Sequence, residues 1–157
     1  MAQTFALKNL LDIAASEADS AAARLGELNR QVQLQEQKLK LLLQYRTDYQ
    51  ERLRRAIANG LDSAGLQNFN DFMNRLEQAL LQQQAALNEA RGRAERGLQH
   101  WQTMARRSKA FDTLSQRAAA TLMRNENTRE QKAQDVGIAI SALGSAAIKK
   151  DRQSTRL

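Results

Sequence analysis

The stretch LKNLLDIAASEADSAAARLGELNRQVQLQEQKLKLLLQYRTDYQERLRRA, residues 7–56, repeats its apolar residues in alternating steps of four and three. The set is Leu7, Leu11, Ala14, Ala18, Ala21, Leu25, Leu28, Val32, Gln35, Leu39, Leu42, Arg46, Tyr49, Leu53 and Ala56, interrupted only at Gln35 and Arg46. A period of about 3.5 residues draws one narrow stripe along a helix and winds it left-handedly around a partner helix. The expected fold is therefore all-α, a long coiled coil. Such a protein has no deep pocket in which to exclude water and align a substrate. It is expected to act by holding or by being held, not as an enzyme.

The same rhythm returns further along the chain at Phe69, Met73, Leu76, Leu80, Gln83, Leu87, Ala90, Ala94, Gly97, Trp101, Met104, Ser108, Phe111, Ser115, Ala118 and Leu122. Between the two runs lies Asn59-Gly60-Leu61-Asp62-Ser63. Gly60 can take the left-handed conformation that closes a helix, and Asp62 or Ser63 can cap the next one. A first helix from near Thr4 to Asn59 and a second from this turn onward are expected, antiparallel because the connection is short. At about 1.5 Å per residue they form a rod of roughly 80 to 90 Å. With the turn centred near Asp62, facing residues carry numbers that add to about 125, which sets large against small as knobs-into-holes packing requires. Ala14, Ala18 and Ala21 then oppose Phe111, Met104 and Trp101, while Leu25, Leu28 and Val32 oppose Gly97 and Ala94. The pairing suits an intramolecular hairpin of residues 1–126 and leaves open a dimer built on the same seam. Residues 127–157 are expected to form either a helical extension or a mobile basic tail.

Composition supports an extended helical protein over an ordinary globular domain of 157 residues. Proline is absent, aromatic residues make up 4% and charged residues 26%, with a surplus of strong helix formers. There is no cysteine, which removes disulfides, thiol catalysis and thiolate metal sites together. His100 is the single histidine, and no nucleophile, base and orienting group stand near one another in the pattern. No metal or cofactor is expected. No segment approaches the roughly 18 to 20 apolar residues that span a bilayer, and no secretory signal is evident. A soluble cytoplasmic protein is expected.

The formal net charge is +7. On the second helix the bases gather at Arg91, Arg93, Arg96, Arg106, Arg107, Lys109, Arg117 and Arg124, opposed on that helix by Glu95 and Asp112. This stretch should attract an acidic partner. Gly92 and Gly97 among these arginines loosely match RNA-binding segments, but Gly97 falls on a core position. Nucleic acid is not expected, since acids are interleaved with the bases along the first helix and no basic region precedes the heptads. The last bases, Lys149, Lys150, Arg152 and Arg156, leave a membrane-surface contact open.

Near the turn the apolar stripe widens beyond a two-stranded seam. Leu42, Tyr45 and Tyr49 line one flank of the first helix, and Phe72, Leu76, Ala79 and Gln83 one flank of the second. Tyr45, Phe72 and Ala79 are off the core register. Aromatics beside a seam form either a wide helix contact or a hot-spot surface for a partner.

These spacings, with Phe5-Ala6-Leu7, Leu10-Leu11, the Ala-rich first third ending at Leu25-Gly26, and the Phe69 to Gln83 run, resemble the FliJ family over roughly residues 1–126. FliJ proteins are small coiled-coil proteins of the bacterial flagellar export apparatus, similar to the central stalk of rotary ATPases. The resemblance implies a peripheral place at the cytoplasmic side of the inner membrane and three partners: the flagellar export ATPase hexamer, the membrane export-gate protein and export chaperones. It implies no small-molecule substrate. It maps gate binding onto Leu42, Tyr45, Tyr49, Phe72, Leu76, Ala79 and Gln83, and the basic stretch from Arg91 to Arg124 is the expected contact for the ATPase ring. The stalk of a virulence-type type III secretion system is the nearest alternative.

Overall fold

The computed structural model describes residues 2–154, so Arg156 of the basic tail lies outside the described residues. Two helices make up the described chain, α1 over Ala2–Ala58 and α2 over Ser63–Ser154, with no strand among these residues. None is long and apolar enough to cross a membrane.

The turn is closed by local chemistry at both ends. Gly60 has φ 88°, a conformation that costs a side-chain-bearing residue about 1 kcal/mol or more. It lets the Gly60 N–H donate to the Ile57 carbonyl at 3.2 Å and the Leu61 N–H reach back to the Ala56 carbonyl at 3.1 Å, the Schellman pattern that satisfies the last carbonyls of a helix. Asp62 then accepts the Gly65 N–H on Oδ1 at 2.8 Å and caps α2. Gly60→Ala and Asp62→Ala are each expected to lower stability by about 1 kcal/mol. Urea unfolding followed by circular dichroism measures both.

The chain divides into two compact units, Ile13–Ser108 and the pair Met1–Asp12 with Lys109–Leu157. In the first, α1 and α2 run antiparallel. Glu17 lies 3.6 Å from Arg107, Arg46 lies 3.5 Å from Glu77, and Glu36 lies 3.3 Å from Arg91. Its core holds Ala14, Ala21, Leu28, Leu76, Leu80, Leu87 and Ala90. Every seam position of this unit is buried or half-buried. Gly97 shows why the seam alternates large with small: a Cβ there would stand 2.6 Å from Cδ1 of Leu28, so only glycine leaves room for that leucine. Gly92 and Gly97 are both helical, and of the two only Gly97 is held to glycine by a neighbour across the seam.

At Gln35 and Gln83 the seam is polar and hydrogen-bonded across the two helices. Gln83 donates from Nε2 to Oε1 of Gln35 at 2.6 Å and to the Gln35 carbonyl at 3.1 Å. A satisfied polar layer inside a coiled coil discriminates against shifted registers, because sliding the helices leaves those groups unpaired.

In the second unit Leu7 and Leu11 are half-buried on α1, as are Phe111, Ser115 and Ala118 on α2. An apolar groove there is lined by Phe5, Lys8, Ser115, Ala119 and Leu122. From position 121 to 154 every residue of α2 is exposed, although the helix continues without interruption.

Candidate functional site

Helical spacing brings the aromatic residues of both helices together a few turns from Gly60. Tyr49 projects from α1 and stacks on Phe72 of α2, ring centroids 4.0 Å apart and planes 29° apart. Phe69 meets the same tyrosine at 5.0 Å with a 53° tilt. Offset and tilted aromatic pairs contribute about 0.5 to 1.5 kcal/mol beyond their buried area. The even register set position 49 beside 76. The rings instead meet one helical turn closer to the bend, where the connection lies between Ala58 and Ser63 rather than centring on Asp62.

The seven residues singled out from the sequence divide by accessibility. Tyr45 is 51% exposed and Phe72 42%, and with Tyr49, Asp48 and Arg52 they line a groove of about 470 Å³. Ala79 is half-buried beside the seam. Leu42 is half-buried in it, Leu76 is buried at 7% exposure, and Gln83 is engaged with Gln35. The exposed part of this set is thus Tyr45 and Phe72 with the edge of Tyr49. Leu76 and Gln83 hold the helices that carry it.

Three neighbours were not singled out from the sequence. Phe69 supports Tyr49 from the seam, while Asp48 and Arg52 follow Tyr45 by three and seven residues and so share its face. That spacing was available as a signal. Asp48 accepts a hydrogen bond from Nε2 of Gln44 at 3.2 Å, leaving Arg52 as the cationic rim of the groove. An arginine beside exposed aromatic rings is a composition enriched at protein interfaces.

The basic residues of α2 are less uniform than their spacing suggests, because α1 supplies acids that a single-helix pattern cannot reveal. Arg91 pairs with Glu36, Arg107 with Glu17, and Arg93 with Glu89 on its own helix. Among the described residues, the side chains of Arg96, Arg106, Lys109, Arg117 and Arg124 pair with no carboxylate, and all five are exposed. Arg96 and Arg106 belong to the Ile13–Ser108 unit; Lys109, Arg117 and Arg124 belong to the other. No group of three or more metal-ligating side chains gathers among the described residues.

The sequence profile described as flagellar FliJ protein matches residues 3–142. The chain belongs to the FliJ family. The flagellar FliJ protein of Salmonella typhi is 35% identical over 135 residues, covering 86% of this chain and 92% of that protein. Its counterpart from Escherichia coli strain K12 is 33% identical over the same shares. This FliJ-family chain is a protein of flagellum biogenesis, protein export and motility. The family match also passes Glu126 and reaches residue 142. The resemblance seen in the sequence ended at Glu126, so it stopped short of the first part of the tail, whose polar heptad positions Arg129 and Lys132 carry no apolar signal.

Proposed function

We propose that this chain is the coiled-coil stalk of the flagellar export machinery. It binds and stimulates the export ATPase hexamer, touches the membrane export-gate protein and escorts export chaperones at the cytoplasmic face of the inner membrane. It performs no chemistry itself. Residues 1–126 form the working hairpin and residues 127–157 an extension of it. The observation that carries this reading is the exposed Tyr45–Phe72 surface, held on a rigid two-helix support in a chain of flagellar family. The flagellar relatives favour this setting over a virulence-type stalk.

Unpaired bases on α2 supply the second contact. Arginines left without a carboxylate keep their full attraction for an acidic lining, whereas Arg91 and Arg107 already spend theirs on α1. Mixing the chain with the purified export ATPase should raise ATP turnover. Arg96→Glu together with Arg106→Glu should remove at least about nine-tenths of the increase at low salt, with unchanged helicity. Full stimulation by that variant would remove the basic contact from the proposal, and absence of stimulation by the parent chain would remove the stalk role.

A further inference from the structure

The seam of α2 keeps its steps of four and three from Phe69 to Leu122. Continued in the same phase, the steps fall on Asn125, Arg129, Lys132, Val136, Ala139, Leu143, Ala146 and Lys150. After a polar interval the stripe is apolar again, and it lies on unbroken helix. Yet α1 begins at Ala2, against the groove that ends at Leu122. Beyond that point the stripe faces water, with Leu143 72% exposed. Val136 on the stripe and Ile140 on its flank are exposed as well. An isolated helix gains nothing from apolar residues arranged in this way, whereas a two-stranded seam requires them.

We propose that residues 132–150 pair with the same stretch of a second copy of this chain, antiparallel, continuing the seam that α1 leaves unfinished. Three features select this occupant. The first is continuity, since the stripe keeps the heptad phase of the α1–α2 interface. The second is size matching. With the two copies crossing near Ser141, Val136 meets Ala146 of the second copy and Leu143 meets its Ala139, the same large-on-small alternation that sets Leu28 against Gly97. Ile140 then meets Ile140 across the symmetry axis. A parallel pair would set Val136 on Val136 and Ala139 on Ala139, giving uneven spacing.

The third feature is charge. The antiparallel register brings Asp135 beside Lys149 of the second copy, twice by symmetry, on the flank positions that set orientation in coiled coils. A parallel register separates them and stacks Lys150 on Lys150. Lys132 and Lys150 share the outermost antiparallel layer, where long side chains reach water.

This inference goes beyond the stalk proposal and is tested on the isolated full-length chain, so either can fail alone. Sedimentation equilibrium should show a concentration-dependent dimer. Leu143→Glu should raise its dissociation constant by about 100-fold or more, with the Trp101 fluorescence of the hairpin unchanged. The chain has no cysteine, so Asp135→Cys and Lys149→Cys can be joined by a short bis-maleimide. Cross-linking only when the two variants are mixed supports the antiparallel pair. Asp135→Cys linking to itself would overturn the orientation. A monomer at every concentration would overturn the dimer, as would tail-dependent binding of the monomer to phosphatidylglycerol vesicles, which would assign the stripe to a lipid surface.

Discussion

Leu28→Ala is expected to destabilise the Ile13–Ser108 unit by about 2 to 4 kcal/mol, among the largest losses available to a single truncation in this seam. Leu28 is only 4% exposed, and the residue across from it, Gly97, has no side chain with which to fill the space. The stronger test is the double mutant. Gly97→Ala in the parent chain gains up to about 1 kcal/mol of helix propensity, but its Cβ would sit 2.6 Å from Leu28 Cδ1. Overpacking at a site with little freedom costs about 1 to 3 kcal/mol, so the net change is a loss. With Leu28 already shortened to Ala, the collision disappears and the same substitution becomes stabilising. Urea titrations of the four proteins measure the coupling. Simple additivity would show that the two positions do not meet.

Tyr45→Ala with Phe72→Ala is expected to weaken binding to the cytoplasmic part of the export-gate protein by about 100- to 1,000-fold. Two aromatic anchors at about 2 kcal/mol each give that range. Both are partly exposed, so unfolding should change far less than binding; isolated surface substitutions stay within about 0.5 kcal/mol, with a further loss where Phe72 leaves the ring of Tyr49. Leu76→Ala supplies the contrast. It lies in the seam, so its main effect should appear in the melting curve. Calorimetric titration beside thermal unfolding separates the two kinds of residue. If the double aromatic variant melts early and binds normally, the rings serve the helix contact alone.

The seam was legible because its signal is local and repeated. Each heptad restates which face of the helix is apolar, and positions from Leu7 to Ala118 on that list are all buried or half-buried. Only Leu122, at the end of the paired region, is exposed. The turn was legible for a similar reason: a glycine with φ 88° and a capping Asp62 are chemistry contained within a few residues. What resisted reading depends on how far one helix is displaced along the other. The pairs of Glu36 with Arg91 and of Glu17 with Arg107 neutralise part of a basic run that showed only Glu95 and Asp112 against it on α2 alone. The ring of Tyr49 likewise meets Phe72 and Phe69, one and two turns nearer the bend than position 76. Gln83 stood on the seam list and also among the residues mapped by resemblance. Its amide is turned to Gln35, a contact across the two helices that the pattern of one helix does not display. The tail was the least legible, because its apolar residues keep the phase of the seam and yet are exposed among the described residues.

The tight connection at Gly60 also sets an order of events during folding. Residues flanking it can meet after closing a loop of a few amino acids, whereas Glu17 and Arg107 enclose most of the unit before they touch. The entropy of closure rises with that separation, so pairing is cheapest beside the bend and propagates outward like a zipper. Amide protons near Tyr49 and Leu76 should consequently gain protection first. The layers around Ala14 and Ala18 should gain it last, and they should be the first in that unit to open again.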